Sequence, residues 1–157
     1  MILVIGYGNP LRSDDAIGQR VAEALRELLA PLGVEVLTVY QLTPELVISV
    51  SAAELVVFID ARVGGTPGDV AHAVIHPEES SGAMTHYVNP ASLLEAARDL
   101  YGKTPCGMLI SIAGAEFDYG CELSPPLAAM LPTIVEQVKT IIETSLKAQN
   151  HEEVDYA

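Results

Sequence analysis

The chain has 157 residues and a formal net charge of −13, from 8 lysines and arginines against 21 aspartates and glutamates. Half of the residues are hydrophobic and 18% are charged, which excludes intrinsic disorder for the body of the chain. Nucleic acids and anionic membranes attract basic patches, so neither is expected as a partner of this acidic chain. We expect one domain over residues 1–148, followed by an acidic tail at 149–157 that frays.

The first residues run directly into an apolar strand pattern without a basic leader, and no segment has the ~20 apolar residues of a membrane span. The sequence therefore predicts a cytoplasmic protein. Its two cysteines, Cys106 and Cys121, are too few for a disulfide framework, and we expect both to be buried free thiols.

Apolar runs that do not alternate predict strands covered on both faces, as in parallel sheets. Such a run occupies residues 2–6, and further strands are predicted at 34–40, 55–60 and 107–114. A more alternating run at 70–75 predicts an edge strand that is antiparallel to its neighbour.

Helical patterns fill the intervals between the strands. They lie at 17–28, near 43–53, after the Asn89-Pro90 cap and after Ser124-Pro125. The alternation of strands and helices predicts an α/β fold. Its architecture is a three-layer sandwich, in which helices cover both faces of a five-stranded, mainly parallel twisted sheet.

The loop after the first strand, GYGNPLRSDD at 6–15, has two glycines of a dinucleotide-binding turn but fails as one. Leu11 stands where a third small residue is needed, and no acidic residue ends the second strand. Asp14 and Asp15 fall at the helix N-terminus, where their charges would repel a phosphate. The structural alternative for this acid pair is a helix cap and a first-turn carboxylate.

Ligands of open α/β sheets bind beyond the carboxyl ends of the strands. Asp15 follows the first strand, Asp60 ends the third strand, and His86 precedes the third helix. Asp60 has a structural alternative, an ion pair with Arg62, and a lone histidine is often a surface residue. Two carboxylates and one imidazole with open positions together suit a divalent transition metal such as zinc or nickel.

The opening ILVIGYGNPLRSDDAIG at 2–18 resembles that of the maturation endopeptidases of nickel–iron hydrogenases, in which Gly-x-Gly-Asn-x-Leu precedes an acid pair and a glycine. The resemblance continues along nearly the whole chain, through Asp60, His86, Ala115-Glu116 and Leu123-Ser124-Pro125. In that family the second acid of the pair, the strand-end aspartate and the histidine bind the metal. The resemblance thus implies that Asp15, Asp60 and His86 are the metal-binding and catalytic residues.

The activity implied by the resemblance is removal of the C-terminal extension of a hydrogenase large-subunit precursor after nickel insertion. Nickel supplied by the substrate would be the recognition element, and zinc or cadmium is expected to occupy the same site in vitro. The metal would polarise the scissile carbonyl while a free carboxylate acts as base. Backbone amides of the 6–9 loop are candidate donors to the oxyanion.

Two other functions fit the same residues. A nickel-checking chaperone of hydrogenase assembly would bind the ion through the same three ligands and cut nothing. A metal-free hydrolase or binding module for a small ligand, of flavodoxin-like shape, would need no ion. The sequence leaves the role of Asp14 open between a base, a cap and a support of Asp15.

Overall fold

A computed structural model describes residues 1–77 and 88–155 of the protein, with side chains described as far as residue 151. The strands are β1 (Ile2–Tyr7), β2 (Val34–Val39), β3 (Leu55–Arg62), β4 (Val70–Ile75) and β5 (Cys106–Ala113). The α-helices are α1 (Ile17–Leu29), α2 (Leu46–Ser51), α3 (Pro90–Tyr101) and α4 (Pro125–Asp155). Short 3₁₀ turns precede and follow α1, at Ser13–Ala16 and Ala30–Leu32.

The strands form one sheet in the order β2-β1-β3-β5-β4. β4 runs antiparallel to β5, and the other neighbouring pairs are parallel. The predicted α/β sandwich and its antiparallel edge strand are therefore confirmed. β1, β3 and β5 are central and parallel, so the loops that follow them meet at the carboxyl ends of the strands, called here the rim.

Each face of the sheet has its own apolar core, which is why the central strands do not alternate in polarity. Val4, Val57 and Ile59 pack beneath α1 and α4. Leu3 and Phe58 point the other way, toward α2 and α3. Burial on both sides leaves polar groups in β1 and β3 only at their carboxyl ends, and that restriction positions the site.

Two glycines of the opening motif allow α1 to lie directly on the strand ends. A Cβ on Gly18 would collide with the backbone carbonyl oxygens of Ile59 and Tyr7, and a Cβ on Gly6 would collide with the carbonyl oxygen of Gly18. These glycines therefore serve a close contact between helix and strand.

The helix boundaries follow local signals in the sequence. Asn89 caps α3, accepting a hydrogen bond from Ser92 N at 2.8 Å, while Ser92 Oγ accepts one from Asn89 N at 2.9 Å. The 3₁₀ turn after α1 ends at Gly33, whose φ of +74° lies in the left-handed region. Among the helices of the described residues, none has the length and hydropathy that a bilayer crossing requires.

The burial of the two cysteines and the extent of the C-terminal tail are the two expectations that need comment. Cys106 and Cys121 are free but exposed, so the prediction that they are buried is wrong: Cys106 begins an edge-proximal strand and Cys121 lies in a loop. α4 continues to Asp155, through most of the segment assigned to the tail. Fraying of residues 149–157 stays a prediction.

Candidate active site

Tyr7 and Asp60 lie side by side at the rim because β1 and β3 are in parallel register. Gly6 pairs with Ile59, so the next residue along each strand is Tyr7 in β1 and Asp60 in β3. Asp60 follows Phe58 by two residues and therefore points to the same face of the sheet, where Tyr7 packs against the α2–α3 core. The tyrosine is the x of the Gly-x-Gly motif.

The electrostatics of Asp60 are those of a carboxylate partly withdrawn from water. Burial raises its pKa to about 6, although hydrogen bonds from the Tyr7 hydroxyl and from Ala61 N, at 2.8 Å, lower it. The negative charge of Asp15 raises it further. The two carboxylates are thus near enough to repel each other, and a cation between them would relieve the repulsion.

Asp15 is held by the loop that precedes it. Its Oδ2 accepts a hydrogen bond from Asn9 N at 2.7 Å, and Asn9 Oδ1 accepts one from Leu11 N at 2.9 Å. Gly8 has a φ of +148°, and a Cβ there would collide with the Asp15 carbonyl oxygen. The Gly-Asn-x-Leu part of the motif is therefore a turn that wraps Asp15 and orients its carboxylate.

Asp14 has a different position and role, being fully buried. Its Oδ2 accepts hydrogen bonds from Ala115 N at 2.7 Å, Glu116 N at 3.0 Å and Ser124 Oγ at 2.7 Å, and its Oδ1 accepts one from Ser124 N at 2.7 Å. Burial raises the pKa of Asp14, but these hydrogen bonds outweigh it and hold the pKa below its ordinary value.

The prediction of a helix cap is wrong for this acid pair, whereas both acids do lie in the first turn of the 3₁₀ helix at Ser13–Ala16. Neither carboxylate accepts a hydrogen bond from the first turn of α1, since Asp15 accepts from Asn9 and Asp14 from the segment between β5 and α4. Asp14 is an anchor between two rim loops, and its buried, fully bonded carboxylate leaves it unsuited to be a base. The Ala-Glu and Leu-Ser-Pro motifs of the resemblance supply its partners.

Backbone hydrogen bonds join the same two loops. Ser13 N donates to Gly120 O and Gly120 N to Leu11 O, both at 2.9 Å, and Asp14 N donates to Glu116 O at 2.9 Å. Ser13 has a φ of +51°, in the left-handed region, and its Oγ donates to Asp118 O at 2.8 Å. The loop that carries Asp15 is therefore fixed to the opposite side of the rim.

Two further expectations are corrected at this rim. Arg62 donates to Ser111 O and Ser111 Oγ, each at 3.1 Å, and within residues 1–77 and 88–155 it forms no ion pair with Asp60. The Gly8 amide donates to Val39 O and the Asn9 amide to Asp15. Those two amides already have acceptors, so they are poor oxyanion donors.

Asp15 and Asp60 could contribute hard oxygen ligands to a divalent cation, and other ligands would have to complete its coordination. Over the described part of the chain, no group of three or more histidine, cysteine, aspartate or glutamate side chains could hold an ion. His86, the third ligand implied by the resemblance, lies outside the described residues and stays a prediction. His72 and His76 are exposed.

Sequence reasoning missed Tyr7. Its position as the last residue of β1, one strand from Asp60, was a usable signal, because residues that end neighbouring parallel strands are adjacent at the rim.

No protein-family model matches the chain. It is 28% identical over 151 residues to the Hydrogenase 2 maturation protease of Escherichia coli (strain K12), a match that covers 92% of each protein. The structure resembles the hydrogenase maturating endopeptidase HybD from E. coli with a TM-score of 0.71 and 29% identity, over 92% of this chain and 93% of that one. It also resembles an endopeptidase from Escherichia coli determined in solution, with a TM-score of 0.70 and 30% identity over 92% and 93% of the two chains.

Each of these likenesses covers 92% of this chain. The α/β scaffold alone would leave the chemistry open, since one fold serves many activities. Sequence identity of 28% and 30% over about nine-tenths of the chain supports a shared activity as well as a shared fold. The chain belongs to the hydrogenase maturation endopeptidase family, and it is a peptidase.

Proposed function

We propose that this peptidase removes the C-terminal extension of a nickel–iron hydrogenase large-subunit precursor once nickel has been inserted. Support for the substrate comes from the relatives, two of which are named for hydrogenase maturation. The observation that carries the proposal is the pairing of Asp15 and Asp60 at one rim, where the charge of one raises the pKa of the other. The cytoplasm is the compartment proposed for the reaction.

The nickel ion of the substrate is the proposed recognition element. Asp15 and Asp60 offer oxygen ligands to an ion that the precursor already holds in part, and His86 offers an imidazole nitrogen. Such shared coordination places the scissile peptide at the rim in one register, which favours reaction by orientation. A precursor without nickel lacks this link and stays intact.

Hydrogen bonds from neighbouring residues orient the two carboxylates. Tyr7 donates to Asp60 and fixes its orientation, while the Asn9 amide does the same for Asp15. The substrate metal polarises the scissile carbonyl as a Lewis acid. Asp15 and Asp60 are the candidates for the base at the rim, because the carboxylate of Asp14 is buried and fully bonded.

The decisive experiment incubates purified protein with nickel-loaded and nickel-free precursor and measures the mass of the precursor in each arm. Loss of one discrete C-terminal peptide in the nickel arm alone supports the proposal. An intact precursor in both arms, with the protein still bound to it, favours the nickel-checking chaperone. Asp15→Asn should abolish the cleavage, and Asp118→Asn, an exposed acid in a neighbouring loop, is the matched control.

A binding measurement tests the proposed ligands without reference to cleavage. Calorimetry with zinc or cadmium should detect binding to the wild-type protein and at least a tenfold weaker affinity in Asp15→Asn and His86→Ala. Losing a group that merely hydrogen-bonds to a metal ligand already has an effect of about that size, and these two residues are the proposed ligands themselves. Equal affinities in the wild type and both variants would instead favour the metal-free small-ligand module.

A further inference from the structure

β4 forms one open edge of the sheet, and its hydrogen-bonding groups alternate between β5 and the outside. Ala113 N donates to Asp69 O at 3.0 Å, just before the first β4–β5 pair. In an antiparallel pair the bonded residues recur every second position. Ala71, Ala73 and Ile75 therefore turn their backbone groups toward β5, and the three residues between them turn theirs to the edge. These edge residues are Val70, His72 and Val74.

The edge residues have no backbone partner on that side among residues 1–77 and 88–151. The side chain of Val74 is 68% exposed, and β4 contains neither lysine nor proline, which many proteins place on edges to prevent pairing. At the opposite edge strand, β2, a side chain occupies one of the backbone groups: the Arg26 guanidinium donates to Val36 O at 2.6 Å. Within residues 1–77 and 88–151, nothing therefore occupies the outward backbone groups of β4, and a further strand could pair with them.

A groove of about 760 Å³ lies beside this edge, between β4 and α4. Val70 and His72 line one wall, and Met130, Glu136 and Gln137 of α4 line the other. The side chains of a strand alternate between the two faces of its sheet. An added strand would therefore place every second side chain in this groove while its backbone pairs with β4.

β4 also begins at the rim. Asp60 of β3 pairs with Ser111 of β5, and Ser111 pairs with Ala71 of β4, so the three residues form one row across the sheet. With strands spaced by about 4.8 Å, an added strand would pass about 14 Å from β3, a span that four or five extended residues cover. The open edge is thus continuous with the site.

We propose that the β4 edge binds an extended stretch of the substrate polypeptide that flanks the scissile bond, as an additional strand of the sheet. This inference rests on the proposed function and adds where the substrate chain runs. A second copy of the protein is a poorer occupant, because each copy carries a net charge of −13 and Asp69 and Glu136 flank the groove.

Amide hydrogen exchange tests the placement, with internal controls in the same strand. It is measured on the wild-type protein with a nickel-loaded precursor that carries a proline just after the scissile bond, so that the precursor is held and not cut, and formation of the complex is verified by size exclusion. The amides of Val70, His72 and Val74 should exchange rapidly in the free protein and at least tenfold more slowly in the complex. Those of Ala71, Ala73 and Ile75 are already bonded and should change little.

Proline substitution tests the contribution to catalysis. Val74→Pro removes an outward N–H without touching the bonds to β5, and proline is tolerated on edge strands for that reason. We expect KM for the precursor to rise about three- to tenfold with kcat nearly unchanged, the effect of losing a hydrogen bond and its neighbouring contacts. Val74→Thr keeps the amide and should match the wild type.

Three results overturn the inference while leaving the proposed function intact: a complex whose outward amides are unprotected, equal KM in Val74→Pro and Val74→Thr, or protection that grows with protein concentration alone. The last would assign the edge to a second copy. Failure of the wild-type protein to cleave nickel-loaded precursor contradicts the proposed function instead.

Discussion

Tyr7 and Asp60 end neighbouring parallel strands, and the tyrosine hydroxyl donates a hydrogen bond to the aspartate carboxylate. Burial raises the pKa of Tyr7, and the charge of Asp60 raises it further, so the phenol keeps its proton. The same hydrogen bond lowers the pKa of Asp60, which burial would otherwise raise still more. Tyr7 therefore keeps part of the Asp60 population ionised near neutral pH, ready to accept a cation.

Tyr7→Phe should raise the pKa of Asp60 above about 6, because it removes a hydrogen bond to the charged form and leaves the burial in place. The acidic limb of the pH profile for precursor cleavage should move to higher pH by the same amount. Carbon-detected NMR titration of the Asp60 carboxyl in the metal-free protein gives an independent value. Tyr40→Phe, at a tyrosine that is 73% exposed, is the control and should leave both curves unchanged.

Asp60 also makes the stability of the metal-free protein depend on pH. Its pKa in the fold, about 6, lies above the ordinary value of 3.8, so the fold favours the protonated form. The stabilisation that this proton provides is complete below pH 3.8 and is lost as the pH rises through 6. Asp60→Asn should therefore match the wild type near pH 4 and be more stable at pH 7, by on the order of 1–2 kcal/mol.

Urea unfolding at pH 4 and pH 7 measures this difference, and the cleavage assay is run on the same samples. A gain in stability with a loss of activity is the outcome expected of a charge retained for function. An asparagine variant that is less stable than the wild type at pH 7 would show that the Asp60 carboxylate is part of the structural framework.

Asp14 should show the opposite pH dependence. Its pKa lies below the ordinary 3.8, so its contribution to stability is complete above that pH and is lost as the pH falls through the value in the fold. Asp14→Ala leaves four donors of the segment between β5 and α4 without their acceptor, at a cost of about 3 kcal/mol or more. Thermal unfolding at pH 7 tests this, with Asp118→Ala, an exposed acid, expected to change little.

The difference between Asp14 and Asp15 shows what the sequence could and could not predict. The order of strands and helices, the antiparallel β4 and the Asn89 cap all follow from local patterns that the structure confirms. The two acids stand next to each other, and local pattern assigns both to a helix N-terminus, one as a cap and the other as a first-turn carboxylate. Their actual partners are 6 residues away for Asp15 and 101 to 110 residues away for Asp14, which no local signal encodes.

Part of the site was nevertheless predictable from topology. Asp15 and Asp60 were expected at one rim because loops after neighbouring parallel strands converge, and the effect of the Asp15 charge on the pKa of Asp60 agrees with that expectation. The proposed Asp60–Arg62 pair failed because Arg62 reaches across to β5, where Ser111 offers two oxygen acceptors. Which acceptor Arg62 bonds depends on the three-dimensional positions of the neighbouring strands, and these cannot be read from the separation of residues along the sequence.

His86→Ala should abolish nickel-dependent cleavage, with a rate at least a hundredfold below that of the wild type, if the imidazole is a ligand of the substrate nickel. The melting temperature of the metal-free protein should stay within a few degrees of the wild type. His76→Ala, at an exposed histidine ten residues earlier, is the matched control and should cleave normally. Full activity of His86→Ala would remove it from the proposed ligand set and leave the two carboxylates.

Gly18→Ala offers a test of the helix–strand contact that aligns the rim. In a helix interior, alanine in place of glycine ordinarily stabilises by up to about 1 kcal/mol. Here the added Cβ meets the carbonyl oxygens of Ile59 and Tyr7, which are backbone atoms and cannot rotate away. The strands would have to move, and the residues displaced adjoin Asp60. We therefore expect a loss of stability together with a lower kcat, measured by urea unfolding and precursor cleavage. Arg20→Ala, an exposed change in the same helix, should leave both near wild type, and a stabilised, fully active Gly18→Ala would contradict the contact.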